Sequence, residues 1–135
     1  MTSNGYSAYK TINVTTASPV VLTTMLFDGA LKAMKKARML YESGDRRGFV
    51  EQTLKASDIV AELYGSLDMK KGDIPRLLGD IYAYCLRVLG EATLGDLSKL
   101  SEVEVHIGRI ARAWKEATTR PASEPVARGE RGAAA

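Results

Sequence analysis

Three Gly-Asp pairs, Gly44-Asp45, Gly72-Asp73 and Gly95-Asp96, punctuate this 135-residue chain and divide it into four stretches. In such a pair the glycine supplies the left-handed stop of one helix and the aspartate caps the next. A fourth start signal stands upstream, where Ser18 is placed to cap and Pro19 to take the first helical position, at which its missing N–H is no loss. Each stretch between these marks carries apolar residues at helical period. The punctuation predicts helices over 19–42, 46–68, 74–93 and 97–118, each roughly 30–36 Å long at 1.5 Å rise per residue. Asp28-Gly29 and Gly79-Asp80 carry the same letters, but the apolar period runs across both. An interior glycine costs about 1 kcal/mol against alanine, so these two are expected where helices approach closely. Matched lengths and short connections specify an all-α fold, an antiparallel up-down-up-down four-helix bundle. No alternating strand pattern is seen. The expected division is a helical domain over 1–120, with 1–17 irregular, and a disordered tail over 121–135, where apolar periodicity is absent.

At 100° per residue the inward faces can be read directly. They are Leu22, Met25, Leu26, Ala30, Ala33, Ala37 and Leu40 in the first helix, and Phe49, Val50, Thr53, Val60, Tyr64 and Leu67 in the second. The third contributes Ile74, Leu77, Leu78, Ile81, Cys85, Val88, Leu89 and Ala92, and the fourth Leu100, Val103, Ile107, Ile110, Ala111 and Trp114. Trp114 reads as a core residue whose N–H finds a partner near a bundle end.

Composition narrows the function more by exclusion than by indication. The net charge is +3, from 19 basic and 16 acidic residues mixed along the chain, without the clustered basic stripe that nucleic acid requires. Lys35-Lys36-Ala37-Arg38 reads as a solvated helix face. The single cysteine, Cys85, lies on an apolar stripe and reads as a buried small hydrophobe of a reducing compartment. No apolar run is long enough to span a membrane, and Met1 to Tyr6 do not resemble a signal segment. One histidine, His106, stands beside Glu102 at i−4, where a solvated or locally hydrogen-bonded role is expected. A di-metal bundle would need Glu-x-x-His on two helices, and no ligand cluster, phosphate-cradling loop or nucleophile elbow appears. The residues carry no enzyme and no cofactor.

What the residues do show is apolar surface in excess. In the first helix Val20, Phe27, Leu31 and Met34 form a second stripe about 100° from the inward one, which widens the apolar arc to roughly 200°. Ile59 and Leu63 lie to one side of the second helix's core stripe, Tyr82 and Leu86 flank the third, and Tyr84 sits on its other flank. Such arcs seal the seams of a bundle, join two copies into a homodimer, or form a groove for apolar helices of another chain. Composition alone does not choose among these.

The order of residues tips the choice. Thr16-Ala17-Ser18-Pro19, then Leu22, then Met25-Leu26-Phe27-Asp28-Gly29-Ala30 closely resembles the opening of the flagellar export chaperone family that serves flagellin. Lys55-Ala56, Ile59-Val60, Glu62-Leu63 and Ser66-Leu67-Asp68 are similar to its second-helix signature. Ile81-Tyr82-Ala83-Tyr84 with Val88-Leu89 stands where the family has its third-helix aromatic pair, and Ala113-Trp114-Lys115-Glu116-Ala117 resembles its ending. The chain departs from the family pattern at Phe27, Ser57, Ala83 and Asp73-Ile74-Pro75.

The resemblance implies a cytoplasmic protein that binds the C-terminal segment of flagellin, blocks premature polymerisation and helps deliver the subunit to the flagellar type III export apparatus. Export components or a co-chaperone are further implied partners, while nucleic acid and membrane are not. The expected client-binding residues are Val20, Phe27, Leu31, Met34, Ile59 and Leu63. Tyr9 and Lys10, which match the family's N-terminal Tyr-Lys, are expected either within the client surface or as a cover displaced by the client. Two other readings stay open: a helical adaptor for another flagellar regulatory protein, and a homo-oligomeric bundle that uses its second stripe on itself.

Overall fold

Ser18 accepts a hydrogen bond from the backbone N–H of Val21 at 3.2 Å, and Pro19 opens the helix it caps. A computed structural model describes residues 18–120 and resolves four helices: α1 (Pro19–Glu42), α2 (Arg46–Gly65), α3 (Asp73–Ala92) and α4 (Leu97–Thr119). Among the described residues there is no strand. Residues 1–17 and 121–135, with Tyr9, Lys10 and the expected tail, lie outside the described residues.

Gly44, Gly72 and Gly95 all have positive φ, 89°, 107° and 105°, but only Gly44 and Gly95 follow closely on a helix end as the sequence predicts; Gly72 lies seven residues past the end of α2 at Gly65. The aspartates divide. Asp45 and Asp96 cap their helices by accepting from Gly48 N–H at 2.8 Å and Ser98 N–H at 3.0 Å. At the middle pair the cap position falls on Gly72, which has no side chain to accept, and Asp73 becomes the first residue of α3. α2 stops at Gly65, short of the predicted 68, because Ser66 closes it: the Ser66 hydroxyl donates to the Leu63 carbonyl at 2.8 Å. Leu67 continues the apolar period outside the helix and misleads the periodicity.

Neighbouring helices run antiparallel around the bundle. Gly29 of α1 faces Ile59 of α2, where an added Cβ would lie 3.3 Å from Ile59 Cδ1. Gly79 near the start of α3 faces Tyr64 at the end of α2. Tyr84 of α3 stacks edge-on against His106 of α4 with centroids 5.9 Å apart. The ring closes between α4 and α1, where Phe27 and Trp114 meet at 6.2 Å and Arg38 bonds both Ser101 and Glu104.

This closure corrects the reading of the second stripe. Phe27 (2 % exposed), Met34 (0 %), Ile59 (2 %) and Leu63 (1 %) are inside the core of the monomer. α1 packs on α2 along one flank and on α4 along the other, so it needs an apolar arc wide enough for both. Phe27 lies on the α4 flank, Met34 follows it two turns along the same stripe, and Ile59 lies against Gly29. The apparent surplus is consumed by the fold. Thr53, also fully buried, satisfies its hydroxyl by donating to the Phe49 carbonyl at 2.8 Å.

Candidate functional site

With four of the expected docking residues inside, the candidate surface follows from which apolar side chains stay outside. Val20 is 43 % exposed, and Leu31 is half-buried and packs on the core's edge. Three residues expected in the core emerge instead: Tyr64 at 41 %, Leu77 at 59 % and Ile74 at 70 %. Val21 and Met69 join them at the surface. All of these but Leu31 belong to one end of the bundle, where α1 begins, α2 stops, α3 begins and α4 finishes, while Met39, Leu54, Tyr84, Leu94 and Val105 are exposed singly elsewhere.

The reason is positional. Ile74 is the second residue of α3, so its inward direction passes beyond the last layer of the core. Tyr64 stands in the final turn of α2, one residue before the helix ends. A helical wheel registers direction but not depth, and these residues point inward at a level where little remains to cover them. Proximity to a helix end is the sequence signal that could have separated them from core positions. Met69, in the connection 66–72, lies outside any helical period.

The α3–α4 seam is closed by polar groups. Tyr84 donates its hydroxyl to Glu102, which also lies 3.7 Å from His106 Nε2. This hydrogen bond to a carboxylate is the leading cause that holds the Tyr84 hydroxyl pKa above its ordinary value. Further along the seam, Arg87 lies 5.0 Å over the Tyr84 ring and pairs with Glu91 at 3.2 Å, and Lys99 meets Glu91 at 3.1 Å. His106 is thus a partly solvated side chain with local neighbours, Glu102 and the Tyr84 ring.

Buried chemistry serves the core. Cys85 is a free, buried thiol, and burial pushes its pKa up to about 11. Tyr82, expected on a flank, is buried at 2 % exposure, and its hydroxyl pKa is pushed up to about 12, chiefly by desolvation. A thiol so shifted is a weak nucleophile at neutral pH. Among the described residues, no group of three or more His, Cys, Asp or Glu side chains could hold a metal ion, and no helix is long and apolar enough to cross a membrane. What the arrangement offers is an apolar, side-chain-rich end on a rigid helical body, which suits binding of another polypeptide.

Comparison with known proteins agrees with this character. The family described as "Flagellar protein FliS" matches residues 2–121. A flagellar secretion chaperone FliS of Salmonella typhimurium is 38 % identical over 122 residues, covering 85 % of this chain and 90 % of the relative. Proteins of the same description from Bacillus subtilis and Escherichia coli are each 35 % identical, over 115 and 133 residues. The first alignment covers 84 % of this chain and 86 % of the relative, the second 92 % and 98 %. The chain therefore belongs to the FliS family of flagellar secretion chaperones, a family of chaperones rather than enzymes.

Proposed function

We propose that this protein binds the C-terminal segment of flagellin in the cytoplasm, prevents its premature polymerisation and aids its delivery to the flagellar type III export apparatus. Membership of a secretion-chaperone family, on a bundle with exposed apolar residues from three helix ends at one end of the body, is the observation that supports this reading. A disordered amphipathic segment that lays apolar side chains on a preformed surface gains helix as it binds, and the entropy lost on ordering offsets part of the gain. The result is a complex tight enough to hold and weak enough to release. The docking surface in this proposal consists of Val20 and Leu31 together with Tyr64, Ile74 and Leu77. Tyr9 and Lys10 belong to it through the family likeness. Residues 1–120 form the working unit, and 121–135 are a tail outside it.

The test is polymerisation. Full-length protein mixed one-to-one with monomeric flagellin is expected to suppress filament growth followed by light scattering. A C-terminal flagellin peptide is expected to bind in calorimetry with a negative heat-capacity change, the mark of apolar burial. Filament growth at an undiminished rate would reject the proposal. Capture of a different flagellar protein, with flagellin ignored, would favour an adaptor role instead.

A further inference from the structure

Gly79 is buried, yet its own side chain contributes nothing to the burial. Three residues from the end of α2 and the connection after it cover it. A Cβ placed on Gly79 would lie 2.6 Å from Met69 Cε, 3.4 Å from Tyr64 Cε1 and 3.6 Å from Leu67 Cδ1. The missing side chain leaves a notch in the α2 flank of α3, walled by Tyr64 and Leu67, and the thioether end of Met69 sits in it. Apart from proline, glycine is the least favourable residue for a helix interior. Its backbone here is ordinary helix, without the positive φ that makes glycine the natural choice at Gly44, Gly72 and Gly95. The notch is what the glycine provides.

The cover is of an exchangeable kind. Met69 is itself 38 % exposed and Tyr64 41 %. The backbone turn beside Met69 is held independently of its side chain: Asp68 accepts from Lys70 N–H at 3.1 Å through its carboxylate, and from Lys71 N–H at 3.0 Å through its carbonyl. Methionine, unbranched and with three rotatable bonds, can swing out while that turn stays in place. Its presence in the notch also shows what the notch accepts: a slender apolar side-chain end of the size of methionine or leucine.

We propose that the notch at Gly79 is a socket for one leucine or methionine side chain of the flagellin segment, and that Met69 plugs it until that side chain displaces it. The inference rests on the flagellin reading above and adds to it a defined anchor point and a self-occupying plug. A helical segment seated there would place further apolar residues over Tyr64, which walls the notch and is itself exposed.

Calorimetric titration of the full-length chain with monomeric flagellin, beside thermal melts, tests the socket. In Gly79→Ala the new methyl group displaces only the flexible end of Met69 and meets Tyr64 and Leu67 at ordinary contact distance, so the melting temperature is expected to hold or rise. Flagellin binding is expected to weaken by at least about tenfold, the size of one lost apolar anchor. Met69→Ala leaves the socket open in a larger fraction of molecules, and binding is expected to tighten about threefold. Binding by Gly79→Ala within twofold of wild type, or weakening by Met69→Ala, overturns the proposal. Should Gly79→Ala fail to fold, Met69→Ala decides by the direction of its change. A wild-type protein that ignores flagellin overturns the flagellin reading and the socket together. One that binds but is indifferent to both substitutions overturns the socket alone.

Discussion

The Trp114 indole N–H donates to the Thr24 hydroxyl at 2.9 Å, across the seam where the last turns of α4 meet the first turns of α1. The Thr24 hydroxyl in turn donates to the Val20 carbonyl at 3.0 Å, so the tie reaches back to the start of the bundle. Beside it Lys115 and Asp28 pair at 2.7 Å, and Phe27 packs on the indole ring. This is the partner near a bundle end that a core tryptophan requires. Thr24→Val keeps the shape and removes the acceptor, leaving a half-buried N–H unpaired. The expected loss is about 1 kcal/mol, a typical figure for one hydrogen bond. Urea melts followed through the fluorescence of Trp114, the single tryptophan, would measure it.

Phe27 gives a sharper expectation. If the second stripe of α1 were a free docking face, Phe27→Asp would spare the fold and abolish binding. At 2 % exposure, stacked at 6.2 Å from Trp114, Phe27 is instead a closing residue of the α1–α4 seam. Truncation of such a phenylalanine costs about 3–5 kcal/mol, and a buried unpaired carboxylate adds to that. Phe27→Asp is expected to lose its cooperative melt by circular dichroism. Phe27→Leu, which keeps most of the buried area, is expected to retain a melt at reduced temperature. A folded Phe27→Asp variant would mean that the seam does not need its aromatic.

These two residues mark how far the chain can be read without coordinates. The four helices, their order and most of the inward faces follow from Gly44, Gly72, Gly95 and the 3.6-residue period, because those are local signals. What a period cannot carry is the identity of the neighbours. The wide arc of α1 fits a free groove and a doubly packed helix equally well, and only the meeting of Phe27 with Trp114 and of Arg38 with Glu104 decides for the second. Depth along the bundle axis is hidden for the same reason, so Ile74, Leu77 and Tyr64 read as core and stand outside it. Met69 over Gly79 combines both omissions: a loop residue with no period, seated on a glycine expected only to allow close approach.

The Gly-Asp pairs, alike in sequence, are expected to respond differently to the same substitution. Asp45 accepts from the Gly48 N–H at 2.8 Å and caps α2. Asp73 is inside the first turn of α3, where it makes no side-chain cap bond and acts only as a negative charge near the positive end of the helix. Asp45→Ala is expected to cost about 1 kcal/mol, as a lost cap does. Asp73→Ala is expected to cost no more than about 0.3–1 kcal/mol, and to lose even that at high salt. Chemical denaturation of both variants at low and high ionic strength separates the two roles.

Alkaline pH probes the core itself. Burial raises the Cys85 thiol from its ordinary 9.0 to about 11 and the Tyr82 hydroxyl from 10.0 to about 12, and the nearby Cys85 thiolate adds to the Tyr82 shift. Both groups are neutral when protonated, so the folded chain holds protons that the unfolded chain releases. The sign follows from linkage: where the unfolded state binds fewer protons, stability falls as pH rises. The two groups therefore contribute no slope well below pH 9, a decline from about pH 9 through Cys85, and a steeper one from about pH 10 as Tyr82 joins. Cys85→Ala removes the lower part of that decline at the cost of a small cavity, and Tyr82→Phe removes the upper part while keeping the ring. Urea midpoints taken every half unit across the alkaline range are expected to show the wild-type decline beginning earlier than that of Cys85→Ala. Coincident profiles for the two would mean that the thiol is as well solvated in the folded chain as in the unfolded one.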